Sequence, residues 1–365
     1  MVTENTCEMA PGCHLARLAR NGCTEAFITV RALPDRAPEE MFGRLKACLR
    51  DQPGARIVRE GILGLGRAAP DAAAGADWPV TRVAEGGDGA FPLAGVQVQA
   101  VTGAPVRSLR MDGRVIGSVF EDPYARYALL GGLGPRDPAQ PRGGQARQTF
   151  EAMEAALRLA GMDFSHVVRT WLFLDEILAW YREFNQVRDA FFTSRGVYDG
   201  LVPASTGIGA RNPAGTAVVA ELLAIQPKSS RVRIRSVPSP LQCPALQYHS
   251  SFSRAVEVAQ PDHRRLFISG TAGIGPDGRS AHAGDVDAQV ALTMKVVAAI
   301  LESQGMDWAD VSRAIAYFKH ARDAAALERY CVAQGLPPLP AVLTQQDICR
   351  DELLFEIEVD AVRQE

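Results

Sequence analysis

The segments GMDFSHVVRTWLFL (161–174) and GMDWADVSRAIAYF (305–318) are two versions of one pattern. Gly, Met, Asp, an aromatic residue, Val and Arg recur in the same order, and an apolar run of strand type follows in each. The likeness continues backwards without a gap, because Gln145 precedes Gly161 by the same interval as Gln289 precedes Gly305. In between, TFEAMEAALRLA and ALTMKVVAAILESQ space their apolar residues as helices do. Each copy opens on a strand ending in glycines, YALLGGLGP (127–135) and RLFISGTAGIGP (265–276). After the second strand comes another helical stretch, WYREFNQVRDAFF or DAAALERYCVAQ, and then a Pro-Ala step at Pro203-Ala204 or Pro340-Ala341. Both copies close in a strand, TAVVAELLAI or LLFEIEVDAV, so the order in each is β–α–β–α–β.

A weaker third copy stands at the N-terminus, where AFITVRAL, PEEMFGRLKACLR and ARIVREGILGL read as strand, helix, strand. The expected organisation is an N-terminal degraded unit with its linker over 1–96, a first full unit over 97–232 and a second over 233–365. Residues 67–95 and 226–247, rich in Pro and in Ala, Gly, Ser or Arg, read as linkers or loops. The fold class is α/β, with α+β mixed sheets whose open faces each need a covering layer.

The 365 residues are 47% hydrophobic and 22% charged, enough for a large core. A net charge of −3 gives no footprint for nucleic acid or an anionic membrane, so any anionic ligand must be held by a few local arginines. No run approaches the roughly 18 apolar residues of a membrane span, and MVTENTCEMAPGC lacks the pattern of a signal peptide. Seven cysteines without CxxC spacing suit a reducing compartment, so a cytoplasmic location is expected. Cys7, Cys13, His14 and Cys23 fit no zinc spacing and are read as free thiols and a histidine in a mobile N-terminus, with no metal. His249, His282 and His320 are scattered and read as structural or surface residues.

SGTAGIGPDG, the helix after GDVDAQ, the GMDWADV turn and the closing FEIE strand after Pro340-Ala341 together resemble the RidA/YjgF unit. The resemblance implies a mixed sheet backed by helices, three units closing into a barrel-like trimer, and active sites in the clefts between units. One chain with two or three units then implies an internal pseudo-trimer, as a monomer or a homo-oligomer. RidA-type imine hydrolases carry an arginine directly after the Pro-Ala step, where this chain has Ser205 and Val342. Simple deaminase chemistry is therefore not expected.

STGIGARNPAG (205–215), YHSSFSRA (248–255), SGTAGI (269–274) and DICRDELLFEIE (347–358) resemble the chorismatases, which remove pyruvate from chorismate. The resemblance implies a small carboxylate substrate, no metal or organic cofactor, and a product that is 3-hydroxybenzoate or a dihydroxycyclohexadiene carboxylate. The other readings are a diverged RidA-like hydrolase or cyclase acting on another imine or enamine, and a small-molecule-binding protein without activity. Cleaving an enol ether as pyruvate needs a protonated acid near neutrality and arginine forks for carboxylates.

Glu356 is the candidate acid. In LLFEIEVDAV it shares a strand face with Glu358 and Asp360, and like charges raise the pKa of the most buried member. Pattern alone allows a solvated face, whereas the resemblance places the functional glutamate at Glu356 and leaves Glu358 structural. Cys349, seven residues earlier, is where the resemblance places a residue separating product subtypes; otherwise it is a small apolar filler. Arg211 and Gly209, in a glycine-rich loop, are candidate substrate contacts, and Arg254 and Arg350 are candidates for the second carboxylate or for ion pairs. Tyr248 and Ser251 are expected to position the ring and its hydroxyl. Gly270 and Ala272 would leave space for it and Thr271 would offer a hydroxyl, with a plain strand-to-loop turn as the alternative.

Overall fold

The computed structural model describes residues 7–33, 36–65, 75–84, 93–248 and 250–365. His249, residues 1–6 and most of the stretch 67–92 lie outside the described residues, as does the side chain of Cys7.

Three six-stranded mixed sheets follow one another along the chain. The first holds β1 (Cys7–Ala10), β2 (Cys13–Arg20), β3 (Cys23–Arg31), β4 (Arg56–Leu63), β5 (Val80–Val83) and β6 (Gly95–Thr102), with α1 (Glu40–Arg50) packed on it. The second holds β7 (Arg107–Met111), β8 (Arg114–Glu121), β9 (Ala125–Leu133), β10 (Val167–Leu174), β11 (Ala204–Gly209) and β12 (Val218–Pro227), covered by α2 (Arg142–Leu159) and α3 (Ile177–Ser194). The third holds β13 (Arg233–Val237), β14 (Ala255–Ala259), β15 (His263–Ala272), β16 (Val311–Phe318), β17 (Ala341–Gln345) and β18 (Phe355–Gln364), covered by α4 (Val286–Ser303) and α5 (Ala325–Ala333). The spatial order is the same in all three, β1-β2-β3-β6-β4-β5 and its counterparts. In each sheet the pair β4–β5, β10–β11 or β16–β17 is parallel and the other pairs are antiparallel. The N-terminal region is therefore a complete third sheet.

The repeated Gly-Met-Asp has a local cause in both copies. Gly161 and Gly305 take φ of 71° and 66°, the left-handed region that ends a helix most cheaply when the residue is glycine. The N–H of Met162 then donates to the Leu157 carbonyl at 2.9 Å, and that of Met306 to Leu301 at 3.0 Å. Both methionine side chains are buried. Asp163 and Asp307 cap the next short turn by accepting from the N–H groups of Ser165 and Ala309. Beneath α2, Phe150, Met153, Ala156 and Leu157 share one buried face. Full burial of each of the larger side chains contributes about 1.5–3 kcal/mol.

The inner faces of the three sheets meet in one shared core. At its centre stand Arg59, Arg169 and Arg313, each just after a register shift in β4, β10 or β16. Each arginine reaches into the next sheet: Arg59 Nε donates to Glu221 at 2.7 Å, Arg169 Nη2 to Glu358 at 3.0 Å, and Arg313 Nε to Gln97 at 3.0 Å. The Trp171 ring lies 4.0, 4.8 and 5.1 Å from the three guanidinium carbons. A pseudo-threefold ring of charge and hydrogen bonds thus joins the three units.

Several expectations need correction. The boundary drawn at residue 96 falls inside β6, the strand that pairs with both β3 and β4. The stretches read as linkers contain structure, since β5 lies in 67–95 and β13 in 226–247. Cys13, His14 and Cys23 are buried in β2 and β3 and belong to no mobile tail. Cys13 faces Cys48 of α1 across a Cα–Cα separation of 7.9 Å, wider than the usual disulfide range. The Pro-Ala steps are also not equivalent in space. Val342 lies beside Ile315, the counterpart of Trp171, and beside Trp171 stands Thr206 instead of Ser205. No described helix is long and apolar enough to cross a membrane.

Candidate active site between the second and third sheets

A cavity of about 620 Å³ opens between the second and third sheets. On one side α3 contributes Tyr181, Asn185, Arg188 and Asp189, and β11 contributes Ser205 and Gly207. The other side is built from Tyr248, Phe252 and Arg254 ahead of β14, Gly270 and Ala272 on β15, Cys349 and Arg350, and Glu356 on β18. The walls thus mix apolar surface with a few convergent polar groups, as small-molecule sites do.

Glu356 and Glu358 lie two residues apart on one strand face and have opposite fates. Glu358 accepts from Trp171 Nε1 at 2.6 Å, Arg313 Nη2 at 2.7 Å, Arg169 Nη2 at 3.0 Å and the Tyr317 hydroxyl at 3.2 Å. Burial alone would raise its pKa, but Arg169 and Arg313 outweigh burial and hold it at about 2. Glu356 makes no hydrogen bond or ion pair with any described residue and is only 4% exposed. Burial, reinforced by the Glu358 charge, pushes its pKa up to about 8 against weaker pulls from Arg169 and Arg254. Near neutrality it is a protonated acid facing the cavity.

The three guanidinium groups that line the same cavity and are at least partly buried lack a carboxylate partner among the described residues. Arg188 is 1% exposed and donates to Asn185 Oδ1 at 2.7 Å. Arg254 gives two hydrogen bonds to the Cys243 carbonyl, at 3.0 and 2.8 Å. Arg350 donates to the Gly278 carbonyl at 2.9 Å. The Tyr248 ring is 5.4 Å from the Arg254 guanidinium carbon and 5.5 Å from that of Arg350. Unpaired guanidiniums held out of bulk water are a standing attraction for a ligand carboxylate.

Gly270 belongs here for a steric reason. A Cβ on it would overlap the Glu356 carboxyl and lie 3.1 Å from Thr206 Cγ2. Cys349 lines the cavity, and burial, with the Glu356 charge added, pushes its thiol up to about 12. It is therefore a neutral wall or weak donor, not a thiolate nucleophile.

Seven of the residues expected from the sequence meet in this cavity: Glu356, Cys349, Arg254, Arg350, Tyr248, Gly270 and Ala272. Ser251 sits at its edge, bonded to Asp189 and to the Tyr198 hydroxyl. Three others are not part of it. Arg211 is half-exposed, with its Nε 3.9 Å from Asp175. Gly209, at the far end of β11, donates its N–H to the Asp347 carbonyl at 2.7 Å, so its missing side chain serves packing. Thr271 turns away and donates to the Ser269 carbonyl at 2.8 Å. The sequence reading missed the whole α3 wall. Its available signal was Arg188 among Phe184, Phe191 and Phe192, a cation on the apolar face of a helix.

Strand register shows why only one cleft has the acid. Glu356 pairs with Tyr317, and the equivalent partners are Phe173 with Val219 in the second sheet and Leu63 with Gly95 in the first. The acid therefore has apolar or absent counterparts in the other two sheets.

The family profile described as Endoribonuclease L-PSP matches residues 131–232 and 244–363. A chorismatase of Streptomyces rapamycinicus is 29% identical over 245 residues, covering 60% of this chain and 71% of the relative. A 3-hydroxybenzoate synthase of Streptomyces hygroscopicus is 28% identical over 223 residues, covering 53% of this chain and 63% of the relative, slightly under two thirds of its length. A crystal structure of a chorismatase shares the fold with a TM-score of 0.66 at 22% identity, over 84% of this chain and 92% of that one. With two of its three sheets matched by the family profile, this chain belongs to the Endoribonuclease L-PSP family of RidA-like proteins, and it is similar to chorismatases.

Proposed function

We propose that the protein converts chorismate to pyruvate and a cyclic carboxylate, with Glu356 as general acid. The observation that carries this reading is a buried carboxylic acid with pKa near 8, facing a cavity whose buried and half-buried guanidiniums make no ion pair with a carboxylate of the described residues. Chorismate is a dianion with an enol ether. Arg188, Arg254 and Arg350 are placed to hold its carboxylates, and the Tyr248 and Phe252 rings wall its six-membered ring. Glu356 gives its proton to the enol methylene carbon, which leaves an oxocarbenium centre at the ether carbon. The resulting Glu356 carboxylate is steadied by the Arg169 and Arg254 charges already acting on it. Attack of water and breakage of the ether yield pyruvate and a dihydroxycyclohexadiene carboxylate. Displacement by the substrate's own hydroxyl, followed by aromatisation, yields pyruvate and 3-hydroxybenzoate with no water consumed. General acid catalysis of this kind contributes about 10²–10⁴-fold.

We read Cys349, a neutral thiol on the cavity wall, as one of the groups that divides these outcomes. The chain is read as a cytoplasmic protein with its pseudo-trimer built in, as a monomer or a homo-oligomer. The test is purified protein with chorismate, with pyruvate followed by a lactate dehydrogenase coupled assay and the organic product identified by mass. Pyruvate from the wild type and none above background from Glu356→Gln is the expected result. A Glu356→Gln variant at the wild-type rate would show that another group is the acid, and activity on 2-iminopropionate alone would replace chorismate with an imine substrate.

A further inference from the structure

A second cavity, of about 870 Å³, lies between the third and first sheets. It is the pseudo-threefold counterpart of the catalytic cleft. Helix α5 stands where α3 stands, and β17 presents Ala341 and Leu343 to it. By strand register these are the counterparts of Ser205 and Gly207, which line the catalytic cavity. Opposite them lies Arg31 on β3, paired with Gly95 as Ala272 is paired with Glu356. The position of the acid is thus occupied by glycine. A Cβ at Gly95 would approach Val342 to 2.6 Å, so this cleft has no room for a side chain there.

What remains is a site with the binding half of the catalytic chemistry and none of the acid. Leu327, Leu336 and Leu339 join Leu343 to make apolar walls. Arg31 is half-buried, and no carboxylate of the described residues lies within ion-pair distance of it. Glu328, Arg36 and Arg322 also line the cavity but are exposed at its rim. Arg31 is therefore the guanidinium nearest the apolar walls, a setting that suits a flat or ring-bearing molecule with one carboxylate. We propose that this second cleft binds an aromatic carboxylate without transforming it, independently of the catalytic cavity.

The probe is 3-hydroxybenzoate, titrated calorimetrically into wild-type protein, with chorismate turnover measured on the same preparations. Two molecules per chain are expected to bind. Arg31→Ala should weaken one of the two sites at least tenfold and leave turnover unchanged, and that unchanged turnover also reports an intact fold. Leu343→Trp, which fills the chamber, should abolish the same site. Arg254→Ala should weaken the other site alone. The proposal is overturned if no site responds to Arg31→Ala or Leu343→Trp, or if the ligand binds once or not at all. Should the wild type fail to turn over chorismate, the proposed function falls, while the stoichiometry and its response to Arg31→Ala still decide the second site. Thermal melting then serves as the check on folding.

Discussion

Replacing Glu356 with glutamine should make the protein more stable at alkaline pH, by an amount that grows with pH. In the folded chain the Glu356 pKa is raised from 4.5 to about 8 because burial disfavours its charged form. The unfolded chain ionises near the ordinary value, so between pH 4.5 and 8 the folded state holds a proton that the unfolded state has released. Stability therefore falls as pH rises through this window, and the full cost is reached above the folded pKa. At 1.36 kcal/mol for each tenfold change in proton affinity, the rise corresponds to an upper limit of roughly 5 kcal/mol. Glutamine keeps the shape and has no proton to lose. The difference in unfolding free energy between Glu356→Gln and wild type should be small near pH 5 and favour the variant by several kcal/mol at pH 9. Denaturant melts at pH 5, 7 and 9 measure it directly. Parallel pH dependences for the two proteins would mean that Glu356 is not a buried neutral acid, and the catalytic reasoning built on it would go as well.

Two further outcomes test the cleft. Gly270→Ala puts a methyl group where the Glu356 carboxyl lies and should lower kcat by about 10²-fold, the scale of an ångström-sized misplacement, with little change in melting temperature; a wild-type kcat would show that the acid has room to act from elsewhere. Arg188→Met removes a buried charge while keeping the bulk, so KM for chorismate should rise by about 10- to 100-fold as a charge-assisted hydrogen bond is lost. An unchanged KM would take Arg188 out of the binding set.

Features set by local rules could be read before folding. Gly161-Met162-Asp163 and its twin are a helix stop, a buried anchor and a cap, each fixed by its own backbone. The helices under the sheets follow from apolar spacing; the alternation of the closing strand put Glu356 on one face with Glu358 and Asp360, and the resemblance singled it out. The misreadings concern properties that only tertiary structure decides. Gly209 and Gly270 look alike in sequence, yet one lets a strand approach Asp347 and the other leaves space for a carboxylic acid. Arg211 sat in a promising loop but points outward, while Arg188, on an ordinary-looking helix, is buried in the cleft. The short outer strands β7 and β13 lack a strong alternating pattern because their solvent-facing residues are unconstrained. The one-residue offset between the two Pro-Ala steps is a matter of pairing register, which no single segment encodes.

The central ring of Arg59, Arg169 and Arg313 has a consequence for how such a molecule can change. In an assembly of three identical chains, every substitution is made three times, and an unpaired buried acid would destabilise each cleft at once. Here the ring secures near-threefold geometry with chemically different partners, Glu221, Glu358 and Gln97, so the three clefts are free to drift apart. One has kept an ionisable acid and another has kept a chamber without it. Joining the units in a single chain turns symmetry from a constraint on function into a scaffold for asymmetry.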